Sequence, residues 1–216
     1  MIAANTADSD VRVIERDPVP PALRRFIWDI QSMVELAESE REILLIGRDL
    51  LTRLLATDDW LPTVFTGSSP AAGQQFQIFR GGLERFSVVS TVLAGGACAT
   101  ISQPAIWEIA GVLRGAVNRR RLDGCPENGA QAGASRLLQA KTLDVWASGS
   151  GEAVELCNAL DDRPSIMFHV YGGDISRLTR RSGASDGSLG APIAGYANAD
   201  SAPPYDIFSI QSEIRD

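Results

Sequence analysis

Histidine is nearly missing: the 216 residues contain one, His169. A centre built on two or three imidazoles is impossible within one chain, and a Ser-His-Asp triad would have to use that residue. Most zinc hydrolases and histidine-rich non-haem iron sites are excluded in their usual ligand sets. Cysteine is scarce too. Cys98, Cys125 and Cys157 lack the CxxC spacing of metal knuckles. Their odd number, with a polar, acidic start (MIAANTADSDVRVIERD) in place of an export signal, predicts free thiols in a reducing cytoplasm. No apolar run approaches the ~20 residues that a bilayer requires, so no membrane role is expected. Positive charge is outweighed: 20 Lys and Arg against 27 Asp and Glu leave a net charge of −7, which argues against nucleic acid as a partner. The one basic run, Arg119-Arg120-Arg121, reads as a solvated strand end.

What is present is an ordinary globular balance, 44% hydrophobic and 22% charged. A chain of this length buries roughly 70% of its unfolded surface, so a core needs neither disulfide nor metal. Residues 1–21 read as a flexible arm, punctuated by Asp17-Pro18-Val19-Pro20-Pro21. Helical spacing follows over 22–62: Leu23, Phe26, Ile27, Ile30, Met33 and Val34, then Ile43 to Leu55 at about 40–57, with Glu40 and Glu42 in the first turn of the second helix. From 74 to 181 the pattern is of short strands: Phe76–Phe79, Arg85–Leu93, Ala105–Leu113, Val117–Leu122, Leu137-Leu138, Thr142–Trp146, Ala153–Leu156 and Ser165–Tyr171. Residues 123–135 read as loop, and 182–216 as an irregular tail laid on or near the rest. Short strands separated by turn signals imply a mainly β jelly-roll barrel carrying two N-terminal helices.

Three stretches carry a resemblance. The first is LERFSVVS at 83–90 with WEIAGVLRGA at 107–116. The second is NALDDRPSI at 158–166. The third is HVYGGDI at 169–175, with Arg180 nine positions after Tyr171, then AGYAN at 194–198. Together with the helical start, these resemble the cysteine dioxygenase-type cupins, closest to the bacterial 3-mercaptopropionate (thiol) dioxygenases. The resemblance implies a cupin barrel and an Fe(II) held by three histidines. The positions it assigns to those ligands are Ser102, Pro104 and Val154. None is histidine, and two have no side-chain donor, so the resemblance implies a ferrous site that has been lost. The family's inward Ser-x-His-x-Tyr row reads Met167-Phe168-His169-Val170-Tyr171, and alternation puts 167, 169 and 171 on one face. The family's carboxylate-gripping arginine matches Arg180, and its pocket-shaping glutamine stretch matches Gln74-Gln75-Phe76.

The bland readings compete. A lone histidine on an apolar strand is usually a bonded core residue. Arg177, Arg180 and Arg181 cluster in an exposed-looking stretch. Glu108, Glu152 and Glu155 could hold Mg or Mn, but strand-edge acids are commonly just solvated. Cys98 and Cys157 read as small buried hydrophobes, and Trp107 and Trp146 as core. A His–Tyr pair can move a proton near neutral pH but cannot activate dioxygen without a metal or organic cofactor.

The expectation is a cytoplasmic, bacterial-type cupin without Fe(II) or another cofactor. His169 and Tyr171 would be its catalytic pair, and Arg180 and Gln75 would bind a small carboxylate or thiol acid. Such a chain is a repurposed metal-independent enzyme, a small-carboxylate-binding protein, or a partner subunit acting as a homo-oligomer or with an intact paralogue. The alternative is an active thiol dioxygenase, making a sulfinate with an unconventional metal site.

Overall fold

A computed structural model describes residues 18–67, 73–102, 105–123, 131–149, 153–175, 191–192, 195–198 and 204–211. Helix α1 (Pro21–Leu36) opens with proline at its first position, where a missing N–H costs nothing, and buries Leu23, Phe26, Ile27, Ile30 and Met33. Helix α2 (Glu40–Leu54) is capped by Ser39, whose hydroxyl accepts from the Glu42 N–H at 3.3 Å. The Glu42 carboxylate reaches back to the Glu38 N–H at 3.0 Å.

Nine strands follow: β1 (Gln74–Arg80), β2 (Ser87–Leu93), β3 (Cys98–Ser102), β4 (Glu108–Arg114), β5 (Ala116–Asp123), β6 (Gln131–Gln139), β7 (Leu143–Trp146), β8 (Ala153–Asn158) and β9 (Ser165–Tyr171). The short β10 (Ala191–Pro192) and α3 (Ile207–Gln211) close the chain. Two sheets form, β1-β2-β9-β4-β7 and β10-β3-β8-β5-β6. The antiparallel pairs nest, β2 with β9, β3 with β8, β4 with β7 and β5 with β6. That is a long hairpin of eight strands rolled into two facing sheets, the jelly roll or double-stranded β-helix of cupins.

The first sheet is covered on both faces. Its outer face carries the helices: Phe26 and Trp60 meet Phe168 edge-on, with ring centroids 5.9 and 5.0 Å apart. Gly47 of α2 sits so close to β4 that a Cβ there would strike the Ile109 side chain. The inner face lines the barrel. Every residue of β2 and β9 is buried, which is why neither strand alternates apolar with charged residues.

Four sequence expectations are corrected. Strand β3 was not foreseen, and residues 131–135, read as loop, form the first half of β6. Gln-Ala-Gly-Ala-Ser carries no β-branched residue; what makes it a strand is its ladder with β5. The free-thiol reading fails for Cys98 and Cys157, which face each other across β3 and β8 and are joined by a disulfide, with their Cα atoms 4.0 Å apart. Both are half-buried rather than core, and the bond removes the thiol argument for a reducing compartment. Finally, the expected arm is not free throughout: Val19 is buried in the helix-side core, while residues 1–17 lie outside the description.

The tail is fastened to β1. Tyr196 bridges to Gln75 and Tyr205 to Phe79. The Asn198 side-chain amide donates to the Gln77 carbonyl at 2.8 Å and accepts the Gln77 N–H at 2.9 Å, as a neighbouring strand would. Among the described residues no helix is long and apolar enough to cross a membrane.

Candidate functional site

Residues opposite each other in a ladder share a face, so the strand register defines what lines the barrel. Tyr171, Glu108 and Trp146 form one row, and His169, Ala110 and Asp144 the next. From the opposing sheet, Ile101 pairs with Val154, and Leu156 with Ala99 and Arg119. The register at the first row is fixed by Gly172: its N–H donates to the Trp107 carbonyl at 2.9 Å, and a Cβ there would run into the Trp107 indole.

Four of these side chains meet inside the barrel. Glu108 Oε1 lies 2.8 Å from His169 Nδ1, and Glu108 Oε2 accepts from Arg119 Nη2 at 2.9 Å. His169, Glu108 and Arg119 are 1%, 3% and 4% exposed. The Tyr171 ring stacks on His169 with centroids 5.6 Å apart, and its hydroxyl is 3.4 Å from Nδ1. Arg119 also approaches Asp144 at 3.5 Å, and Asp144 accepts from the half-exposed Arg136 at 3.0 Å. The guanidiniums of Arg119 and Arg121 lie 4.5 and 4.8 Å from the centre of the Trp146 ring.

Burial alone would push the Glu108 carboxyl up. The Arg119 charge outweighs it, together with the hydrogen bonds from His169 and Arg119, and the group is held down at about 2. An ionised Glu108 can only accept, so His169 Nδ1 is the donor in that contact. In the neutral form of the ring Nε2 is then the nitrogen without a proton, its lone pair turned away from Glu108. Nε2 is buried and has no hydrogen-bond partner; the same is true of Arg119 Nε, while Nη1 has only the Asp144 carboxylate, at 3.5 Å.

His169 and Arg119 border a small cavity that Ile101, Glu108, Val154, Leu156 and Tyr171 also line. Its free space is small: the centre of a water-sized molecule can range over ≈ 10 Å³. The arrangement can therefore hold a small polar atom against Nε2 and take up or release a proton there.

The structure thus brings His169 and Tyr171 together, with Val154 in the same cavity wall. Gln75 does not join them: it is fully buried, donates to Thr91 Oγ1 at 3.3 Å and lies outside the cavity lining. Arg180 and Pro104 fall outside the described residues, as does the side chain of Ser102. Glu152 is also outside them, and Glu155 turns to the outer face, paired with Arg120 at 2.5 Å. Among the described residues no group of three His, Cys, Asp or Glu could hold a metal ion.

Two site residues were missed. Arg119 was read as solvated with its neighbours. It points inward because β5 alternates from Val117, and only Arg121 of the three is exposed. Glu108 was weighed only as a metal ligand. The signal for both was available: a carboxylate inside the apolar run IWEIAGVL needs a buried cation, and alternation offers Arg119.

No family model matches the chain. Solved structures that it is similar to include an oxalate oxidase (17% identity, TM-score 0.38), whose match covers 50% of this chain and 55% of that one. A cupin domain of an XRE-family transcriptional regulator from Enterobacter cloacae matches at 19% identity and TM-score 0.37, over 50% of this chain and 99% of that one. A double-stranded β-helix protein from Klebsiella pneumoniae matches at 16% identity and TM-score 0.40, over 52% and 87%. The chain spans about half the length of the oxalate oxidase. The barrel itself is established by the nested strand pairs.

Proposed function

We propose that this cupin barrel handles a small ligand by proton exchange at His169 and does so without ferrous iron, as a metal-independent catalyst or a small-carboxylate-binding protein. One observation carries the reading: a buried imidazole whose Nδ1 is fixed by Glu108 leaves Nε2 without a partner at the edge of a cavity. A core histidine kept only for packing is expected to have both nitrogens satisfied. Here one side is held and the other is open, as a general acid or base requires.

The donor set does not fit the iron of the thiol dioxygenases that the sequence resembles. Val154 turns an apolar side chain to the cavity, and both Glu108 oxygens are engaged, by His169 and by Arg119. Fe(II) asks for several strong N or O donors in a fixed geometry, and His169 is the one imidazole available. Tyr171 covers one face of that imidazole and keeps it in plane, which makes it a positioning residue. Arg180, which the resemblance assigns to a carboxylate, is the carboxylate-binding residue in this reading.

The test is nitrogen-resolved NMR of His169 with elemental analysis on the same preparation. The expected result is protonated Nδ1, unprotonated Nε2 at pH 8, a shift of the His169 signals on adding small carboxylates, and substoichiometric iron. Tyr171→Phe should keep the tautomer and weaken the ligand-induced shift. Stoichiometric iron with thiol-dependent oxygen uptake and sulfinate product would overturn the reading in favour of a dioxygenase.

A further inference from the structure

We propose that the cavity takes a small monoanion together with one proton, the anion lying between the free N–H groups of Arg119 and the imidazolium that His169 becomes. The inference rests on His169 being the open group of the site, and adds the ligand's charge and its coupling to pH.

The argument is a charge census. Groups facing the imidazole come from several strands: Glu108 from β4, Arg119 from β5, Tyr171 from β9 itself, and Asp144 of β7 through Arg119, with Arg136 of β6 behind it. Val89 of β2, Ile101 of β3, and Val154 and Leu156 of β8 bring no charge. With neutral His169, the buried charges are those of Glu108, Asp144 and Arg119, one negative in sum, with the exposed Arg136 and Arg121 outside them. Adding an anion alone would deepen that buried negative charge, which a low-dielectric interior opposes strongly. Adding the anion with a proton leaves the sum unchanged.

The hydrogen-bond census agrees. Arg119 Nε is a buried donor without an acceptor, and Nη1 has only the Asp144 carboxylate, at 3.5 Å. His169 Nε2 becomes a third donor on protonation, while Nδ1–H stays on Glu108. An anion supplies the acceptors that all three need; an uncharged molecule of the same size satisfies fewer of them and draws in no proton. The small free space selects one-carbon or inorganic ions over larger acids. The bookkeeping is closed: neutral imidazole, a solvent proton and the anion give an imidazolium–anion pair, with no bond broken in the ligand.

The experiment is calorimetric titration of the full chain with formate, and separately with formamide, its neutral counterpart of equal size. Each is run at pH 6 and pH 8 in two buffers of different ionisation heat. The expected result is uptake of about one proton per formate and a Kd weaker at pH 8 by up to about 100-fold, one proton acting over two pH units. Formamide should bind far more weakly and take up no proton. Arg119→Lys, which keeps the charge but loses the planar fork, should weaken formate at least tenfold. If that variant does not fold, the proton count of the unaltered protein decides. Formate binding without proton uptake, or formamide binding as well as formate, overturns the coupling and leaves His169 as the ligand group. No formate binding at pH 6 overturns it as well, and the His169 tautomer then tells separately whether the functional reading survives.

Discussion

Met167 and Tyr171 lie on one face of one strand, four residues apart, yet they look into different surroundings. Met167 sits among Leu93, Ala99, Ile101, Val112, Val117, Leu138 and Leu156, a core of ordinary apolar packing. Tyr171 faces Glu108 across the ladder, with Arg119, Asp144 and Trp146 beyond. His169 is the border residue between the two. An apolar barrel end is stabilised by removing surface from water, and its parts are exchangeable. The charged end is held by a chain of pairs in which each member makes its neighbour tolerable. The difference teaches where to expect chemistry: a barrel that needed only a core would have continued Met167's surroundings to the rim.

The largest blow to that contrast is Arg119→Ala. It leaves Glu108 buried without its cation and should cost about 3–5 kcal/mol, read as a shift in urea midpoint. The double change Arg119→Met with Glu108→Leu removes both charges and should recover most of that loss. Recovery would mean the pair is kept for function rather than stability; no recovery would mean the two ends are not separable.

Acid comes next. The Glu108 carboxyl titrates at about 2 in the folded chain against an ordinary 4.5, so folding favours its charged form. Its contribution is complete above pH 4.5 and is lost as pH falls toward 2, amounting to about 3 kcal/mol. Glu108→Gln should flatten the fall in stability across that window, measured by denaturation at pH 5, 4 and 3. An unchanged slope would show that another carboxylate carries the acid sensitivity.

The smallest effect tests the apolar end. Ile101→Val removes one methylene beside the cavity and should cost about 1 kcal/mol while leaving the His169 tautomer unchanged. A changed tautomer would mean that packing, and not Glu108, orients the ring.

The fold was legible where local and tertiary signals agreed. The α1 stripe from Leu23 to Met33, and the strand from Ser165 to Tyr171, follow from spacing and β-branched content. Alternation puts 167, 169 and 171 on one face, and the family resemblance implies that this face looks into the barrel. The first half of strand β6 was illegible because its residues have no strand preference and borrow their conformation from β5. The site was half legible. His169 stood out by rarity, whereas Arg119 was hidden between two other arginines, where composition suggests solvent and only register says otherwise. The Cys98–Cys157 bond was hidden because pairing depends on β3 lying beside β8, a contact across 59 residues.

One further consequence belongs to Asn198. Strand β1 ends its sheet, and a bare margin of N–H and C=O groups invites another chain to add itself there. By presenting its amide to Gln77 as a one-residue imitation strand, with Tyr196 and Tyr205 bridging on either side, the tail occupies that margin. It guards the barrel against edge-to-edge aggregation, so shortening the chain before Asn198 would be felt first in solubility.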